Sequence, residues 1–425
     1  MFFEKYINTT LIIYTVTNTS SRGGAGYRLL LYIAIGFVLG IIIGWIISTA
    51  PPGVKGAVSD WFKAFGDIFV RLIRIVIPPL IFFTIAAATA SIADARRLGK
   101  ILALMLFLYI ITTIIATIWG IIAATAVAPG VGLNLTSKQQ PPTPPSGIDI
   151  LLSFFQPDFS NLLVVGGAMT MIIFAMILGL AVVFLGDEGR KVANILSLGS
   201  KTMIGFVRII MYYAPVAVFM YAAWLMIKYG PQILGAYAKF LGGQYLITLL
   251  HFFLVYSIIV WLGGLSPIKY FKAQIYPFLI AFTTRSSAAT LPANMEAARR
   301  MGIPEEVFGV TLPIGATVNM DGTAIYQAMS AIFVAQLFNI PLTPYHYGLI
   351  ILAATVGSIA TAAIPGGGTI MLAYVLAVVG LPLEGVGIML VIDPIADAIR
   401  TAINVSGDNA CTVLITKLLG YKLES

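Results

Sequence analysis

Cysteine and histidine are nearly missing from this 425-residue chain, which has one Cys (Cys411) and two His (His251 and His346). A single cysteine excludes an intramolecular disulfide. Two histidines far apart in sequence make no His/Cys metal constellation. Charge is scarce as well: 10% of residues are Asp, Glu, Lys or Arg, against about 25% in a soluble domain. Such a chain cannot clothe a water-facing surface with polar groups. What it has instead is apolar residues, 59% of the total. A bilayer core takes about 20 of them per helical crossing, which leaves room for about eight crossings plus loops. The net charge of +8 would point to nucleic acid on a soluble protein. Here Lys and Arg lie at the ends of apolar runs, where they orient a protein in a membrane, and no nucleic-acid partner is expected. No nucleophile–base pair or metal motif argues for an enzyme, and no cofactor is expected.

The lead from Met1 to Ser21 mixes polar and apolar residues. The apolar run after it, Leu29 to Ala50, is longer than the core of a signal peptide and lacks a small-residue cleavage site, so it reads as the first transmembrane helix. Asn8, Asn18, Asn134 and Asn404 sit in N-x-S/T triplets. Asn404 falls inside the membrane on this reading, and the triplets carry little weight. Further apolar segments run over roughly 64–92, 99–128, 160–186, 196–228 and 240–264. From about residue 268 the pattern changes. Thr283-Thr284-Arg285-Ser286-Ser287 and Ile364-Pro365-Gly366-Gly367-Gly368 interrupt apolar stretches. Neither can be a plain lipid-facing helix, because irregular backbone at membrane depth must be buried in protein or line a watery cavity. Two interrupted segments flanking a fuller helix point to a transporter site. The competing reading is two Gly/Pro-rich loops outside the membrane.

Positive charge alternates along the chain. Arg22 and Arg28 precede the first helix, Arg96, Arg97 and Lys100 separate the second and third, and Arg190, Lys191 and Lys201 separate the fourth and fifth. Lys269 and Lys272 precede the first broken segment, Arg299 and Arg300 follow it, and Lys417 and Lys422 lie near the C-terminus. The Pro-rich loop Gln139 to Gly147 has only Lys138 beside it. This places both termini in the cytoplasm. The segment at 268–300 then enters and leaves on the cytoplasmic side, and the one at 345–378 on the opposite side. Both are expected to be re-entrant hairpins with tips near the midplane.

The last apolar segment holds Asp393, Asp397, Arg400, Asn404 and Asp408, at spacings of 4, 3, 4 and 4. At 3.6 residues per turn they share one face. Each charge at a helix centre costs about 2.5–3.5 kcal/mol, so the stripe unpaired would cost on the order of 10 kcal/mol. It must face protein, water or ligand. An Asp397–Arg400 salt bridge is the structural alternative, but three carboxylates against one arginine leave negative charge for cations to balance. A second stretch, Gly315-Ala316-Thr317-Val318-Asn319-Met320-Asp321-Gly322-Thr323, breaks another apolar segment. Freed carbonyls, an amide and a carboxylate are hard oxygen ligands suited to a hard cation. A helix kink with a solvated Asp is the alternative there.

Taken together, Asn319-Met320-Asp321-Gly322-Thr323, the Arg285-Ser286-Ser287 tip and the Asp397-x-x-Arg400-Thr401-x-x-Asn404-x-x-x-Asp408 stripe resemble the glutamate transporter family, the dicarboxylate/amino acid:cation symporters. The likeness runs from about residue 28 to 420. It is strongest to the archaeal sodium/aspartate symporters, which also carry an arginine in the first hairpin tip. The resemblance implies an all-α integral membrane protein with eight transmembrane helices, two re-entrant hairpins, inverted repeats and an elevator mechanism. It also implies a homotrimer in the plasma membrane that carries aspartate or glutamate with sodium. Residues 28–98 and 129–228, with an extracellular Pro-rich loop at 129–150, would form a scaffold after a lead of 1–27. Residues 99–128 and 229–425 would form a mobile transport domain, with the 345–378 hairpin as its outer gate.

Residue by residue, the resemblance gives Asp397 the substrate ammonium and Arg400 its side-chain carboxylate, a bidentate match for guanidinium. Thr323 adds a hydrogen bond to that carboxylate and Thr401 lines the pocket. Asn404 holds the main-chain carboxylate, helped by backbone around Arg285, Ser286 and Ser287 in one tip and Ile364 and Gly367 in the other. Three sodium sites carry over in the same way. One uses Asp408, Asn404, Asn319 and the Gly315 carbonyl, and a second uses backbone around Thr317, Met320, Ser358, Ile359 and Thr361. The third uses Asp321 and Asn319 with Tyr109, Thr112 and Thr113, which by themselves read as ordinary polar residues in an apolar helix. The hairpin tips depart from the commonest pattern: the first reads Ser286-Ser287-Ala288-Ala289 and the second Pro365-Gly366-Gly367-Gly368. That leaves aspartate against glutamate open. Proton coupling and a C4-dicarboxylate substrate are the nearest rivals. A neutral amino acid would leave Arg400 buried and unpaired, and an anion channel is the reading from another class.

Overall fold

The structure is a computed structural model that describes residues 28–29, 31–91, 99–133, 135, 168–361 and 366–423. Among these residues the secondary structure is helical throughout. Six elements come first: α1 (Leu31–Ser48), α2 (Pro52–Ser91), α3 (Gly99–Val127), α4 (Ala168–Phe184), α5 (Asp187–Met211) and α6 (Ala214–Tyr229). After them α7 (Gln232–Leu262) contains one π-helical turn, His251–Val255. The broken half follows, with α8 (Pro267–Thr284), α9 (Ser287–Arg300), α10 (Glu305–Val318), α11 (Asp321–Leu337), α12 (Pro344–Ile359) and α13 (Gly367–Val379). A short α14 (Glu384–Leu390) and the long α15 (Asp393–Leu418) close the chain.

Among the described residues α1, α2, α3 and α7 are long and apolar enough to cross a membrane, and α5 with α6, bent by 52° at their junction, makes a fifth if the pair is one span. The elements differ from the sequence reading in several places, and α7 begins at Gln232 rather than near 240. Helix α2 begins at Pro52 rather than near 64, because Pro at the first turn starts a helix without losing a needed donor, and the added turns carry Lys55, Asp60 and Lys63. The segment expected at 196–228 is two helices. The α14 turn was not anticipated.

Helices α1, α2, α4, α5 and α6 pack on one another. Helix α1 meets α6 through Gly36, Gly40 and Gly44. A Cβ on any of them would lie 2.5–2.6 Å from a carbonyl oxygen of Pro215, Phe219 or Ala223. Small residues at this spacing let two helix backbones touch where lipid supplies no hydrophobic drive. A second group, α3 with α7 to α13 and α15, surrounds the polar stripe of α15.

The breaks lie where Gly, Ser and Asn interrupt the apolar pattern. Helix α8 ends at Arg285, whose φ of 53° is left-handed, and Ser286 caps α9 by accepting the Ala289 N–H at 3.2 Å. Helix α10 gives way to extended backbone at Asn319 and an irregular Met320 before α11 starts at Asp321. Helix α13 starts after Gly366, whose φ is 81°.

Candidate functional site

Helix α15 supplies the centre of the site. Arg400 is 1% exposed, and its guanidinium is partly occupied by its own helix. Nε and Nη2 donate to Asp397 Oδ1 at 3.0 and 2.6 Å, and Nη2 donates to Asp393 Oδ1 at 3.1 Å. The i, i+3 and i, i+7 spacings put all three on one face. The guanidinium also lies 4.5 Å from the centre of the Tyr326 ring, a cation–π contact from α11. Its Nη1 is buried without a partner. That nitrogen sits against Gly368 at the start of α13, where a Cβ would come within 2.8 Å of it.

Asp397 also accepts from Thr401 Oγ1 at 3.2 Å and, through Oδ2, from the Gly366 N–H at 3.3 Å. Asp393 accepts from Thr369 Oγ1, which is 2.7 Å from the Tyr326 hydroxyl. One turn further on, Asn404 Oδ1 accepts the Gly322 and Thr323 N–H groups at 2.8 and 3.3 Å, and its Nδ2 donates to Thr323 Oγ1 at 3.1 Å. This amide thus satisfies backbone donors at the first turn of α11. Arg285, Ser287, Met320, Thr323, Thr361, Gly368, Asp397, Arg400, Thr401 and Asn404 line one cleft. Arg285 reaches it from the α8 terminus and donates to the Pro394 carbonyl at 2.7 Å.

Below the cleft lie two buried carboxylates. Asp408 Oδ1 accepts from Asn319 Nδ2 at 3.1 Å, while Asn319 Oδ1 is buried without a partner. Gly315 makes room here, since a Cβ would fall 2.6 Å from both Asp408 Oδ1 and the Tyr109 hydroxyl. Asp321 Oδ1 accepts from Thr112 and Thr113 at 3.1 and 3.0 Å. Its Oδ2 faces the Tyr256 hydroxyl at 2.9 Å and His251 Nε2 at 3.4 Å.

The residues singled out in the sequence therefore fall unevenly. Arg285, Ser287, Thr323, Asp397, Arg400, Thr401 and Asn404 meet at the cleft. Ser286 caps α9, Gly367 is buried beside the lining Gly368, and Ile364 lies outside the described residues. Asp321, Thr112 and Thr113 come together. The Tyr109 hydroxyl donates to the Thr311 carbonyl at 3.2 Å, while its own carbonyl accepts from Thr112 Oγ1 at 3.1 Å. Of the second sodium set, Met320 and Thr361 line the cleft. Thr317 is exposed, with its hydroxyl bonded to Ile314 O, and Ser358 Oγ bonds back to Thr355 O. Asp393, Tyr326, Thr369, His251 and Tyr256 had no assigned role. Asp393 was legible as part of the stripe. His251 was legible as an ionisable residue within an apolar run. Tyr326, Thr369 and Tyr256 had no local signal.

Comparison with known proteins gives the family of the chain. Residues 29–418 match the sodium:dicarboxylate symporter family. The chain is 30% identical over 399 residues to a C4-dicarboxylate transport protein of Rhodopseudomonas palustris (strain BisB18), covering 92% of this chain and 88% of the relative. It is 29% identical over 402 residues to a proton/sodium-glutamate symport protein of Bacillus subtilis (strain 168), covering 91% and 92%. A proton/sodium-glutamate symport protein of Geobacillus stearothermophilus is 29% identical over 399 residues, covering 91% and 94%. With the match extending from α1 to the end of α15, the chain belongs to the sodium:dicarboxylate symporter family, a family of membrane transporters and not of enzymes.

Proposed function

We propose that this protein carries an acidic amino acid, aspartate or glutamate, across the plasma membrane together with sodium. The observation that carries the reading is the buried Arg400 with Nη1 unpartnered beside the cleft. A guanidinium edge in a dry site is shaped for a carboxylate, and a buried donor without a partner costs about 1–3 kcal/mol until a ligand meets it. Asp397 stands beside it for the ammonium, with Asn404 and the α9 and α13 starts for the second carboxylate.

The charge balance supports cation coupling. With all four carboxylates ionised, Asp393, Asp397, Asp321 and Asp408 outnumber Arg285 and Arg400 by two. An acidic amino acid adds one more negative charge. Cations bound with it bring the buried site toward neutrality, which is the condition for crossing a low-dielectric layer. The unpartnered Asn319 Oδ1, on the amide that donates to Asp408, is an oxygen suited to a hard cation.

In this reading the chain makes eight crossings and two re-entrant hairpins, with both termini cytoplasmic, and assembles as a homotrimer. The α1, α2, α4, α5 and α6 group is the fixed part. The group around α15 is the body that moves, as an elevator, with the α12–α13 hairpin as gate. Its support is that the polar residues of the site lie within one packed group.

A second reading has a specific observation behind it. Asp397 is already paired with Arg400, so a substrate without an ammonium does not leave that carboxylate facing bare negative charge. A C4-dicarboxylate driven by sodium or protons therefore competes with the amino acid. Uptake of labelled aspartate, glutamate and succinate into liposomes holding the purified protein separates the two. Either an inward sodium gradient or a proton gradient at zero sodium would drive it. Amino-acid uptake with sodium alone is the expected result. Uptake of succinate alone would overturn the substrate, and uptake with protons alone would overturn the coupling ion.

A further inference from the structure

The single π turn of α7 has no part in the reading above. It spans His251–Val255, and its defining bond runs from the Tyr256 N–H to the His251 carbonyl, an i to i+5 step. On a regular α-helix, residues five apart point about 140° away from each other. The wider turn brings them to one face, and both reach the same atom: Tyr256 OH donates to Asp321 Oδ2 at 2.9 Å and His251 Nε2 lies 3.4 Å from it. Both side chains are fully buried, with ring centres 5.0 Å apart. Gly407 of α15 keeps the space open, since a Cβ there would lie 2.5 Å from the Tyr256 hydroxyl and 2.7 Å from Asn319 Nδ2. Such π turns are rare and are frequently found at functional sites.

We propose that His251 and Tyr256 are positioning residues for a cation held at Asp321, presented together by this π turn. The inference rests on the cation reading above. With Oδ2 held by the α7 pair, Oδ1 is left to face inward. The Thr112 and Thr113 hydroxyls can rotate their lone pairs toward an ion beside it, with Asn319 Oδ1 as a further ligand. Loss of an outer partner of a metal-binding carboxylate costs about 10- to 100-fold in affinity.

The test measures thermal unfolding of the purified full chain in detergent, with sodium chloride titrated against choline chloride at constant ionic strength. An ion that binds the native state raises the midpoint by mass action. Tyr256→Phe and His251→Leu are expected to raise the half-effective sodium concentration by about tenfold. His251→Gln keeps an N–H donor and is expected to stay within about twofold of the parent. Variants that lower the midpoint without sodium but leave the half-effective concentration unchanged are merely structural, and that result overturns the proposal. His251→Gln behaving like His251→Leu overturns the donor role of the imidazole. A parent indifferent to sodium removes the cation reading itself, and this inference with it.

Discussion

Arg400 shows how one residue carries both structure and recognition. Its Nε and Nη2 hold Asp397 and Asp393, and its Nη1 is the part left over. Arg400→Cys removes the donor for a substrate carboxylate and strands two buried carboxylates. Uptake of acidic substrates should fall on the order of 10²-fold, the usual size of a broken buried charge pair. A neutral amino acid then becomes the better fit, and competition by serine or alanine against residual uptake would show it. Aspartate uptake equal to the parent would remove the assigned role. At this scale the α15 stripe was legible because charged residues in an apolar helix are costly enough to stand out. Tyr326 was not: an aromatic ring in a hydrophobic run carries no sign that a guanidinium lies 4.5 Å above it.

The two hairpins are fastened differently. The α8–α9 hairpin is tied to α15 by buried amides. Asn409 Nδ2 donates to Gln274 Oε1 at 2.9 Å and to Asn294 Oδ1 at 2.7 Å, and Asn294 Nδ2 donates to the Val405 carbonyl at 3.0 Å. None of these atoms belongs to the cleft. The α12–α13 hairpin reaches α15 through Gly366 N–H to Asp397 and Thr369 to Asp393, which are residues of the site itself. Apart from the Arg285 bond to the Pro394 carbonyl at its tip, the first hairpin is therefore locked to α15 away from the site, whereas these bonds of the second run through the site itself. Asn409→Leu leaves Gln274 Oε1 without its donor and removes one of the two donors to Asn294 Oδ1, and should cost about 1–3 kcal/mol. A lowered unfolding midpoint in detergent with substrate affinity kept is the expected outcome, and a midpoint equal to the parent counts against the lock. The interruption of both elements was readable from Gly, Pro, Ser and Arg in the apolar pattern. The amide lock was not, because Gln274, Asn294 and Asn409 are far apart in sequence.

Across the whole molecule, glycines of α14 and of the α13 start rest on the group of α1, α2, α4, α5 and α6. Gly387 of α14 lies flat on Tyr221 of α6, where a Cβ would fall 2.1 Å from the ring, and Gly66 of α2 closes on the same ring at 2.9 Å. Tyr221 donates to Asp67 Oδ1 at 2.6 Å, and Asp67 pairs with Lys63 at 2.7 Å. Gly366 meets Met211 of α5 in the same way, at 2.8 Å. Gly387→Val cannot keep this contact, and if the two groups move against each other it should shift the population away from it. Tyr221→Ala in the same chain should restore the seat. Distances between spin labels on the two groups, in a Cys411→Ala background, would report both. An unchanged distance distribution in Gly387→Val would rule out the contact as a docking seat.

The membrane class, the breaks in the second half and the polar face of α15 were determined by the sequence alone. Each is a local matter: apolar length, helix-breaking residues, or charge at a helical period. Only the tertiary structure decided that Arg400 is shared between two aspartates. The same holds for the Tyr109 hydroxyl, which donates to the Thr311 carbonyl, and for the π turn that aims His251 and Tyr256 at one carboxylate oxygen. These depend on which side chains from distant segments compete for the same few buried donors and acceptors. That competition is settled only when the helices pack, since in a dry interior every such group must find a partner among those the fold brings within reach.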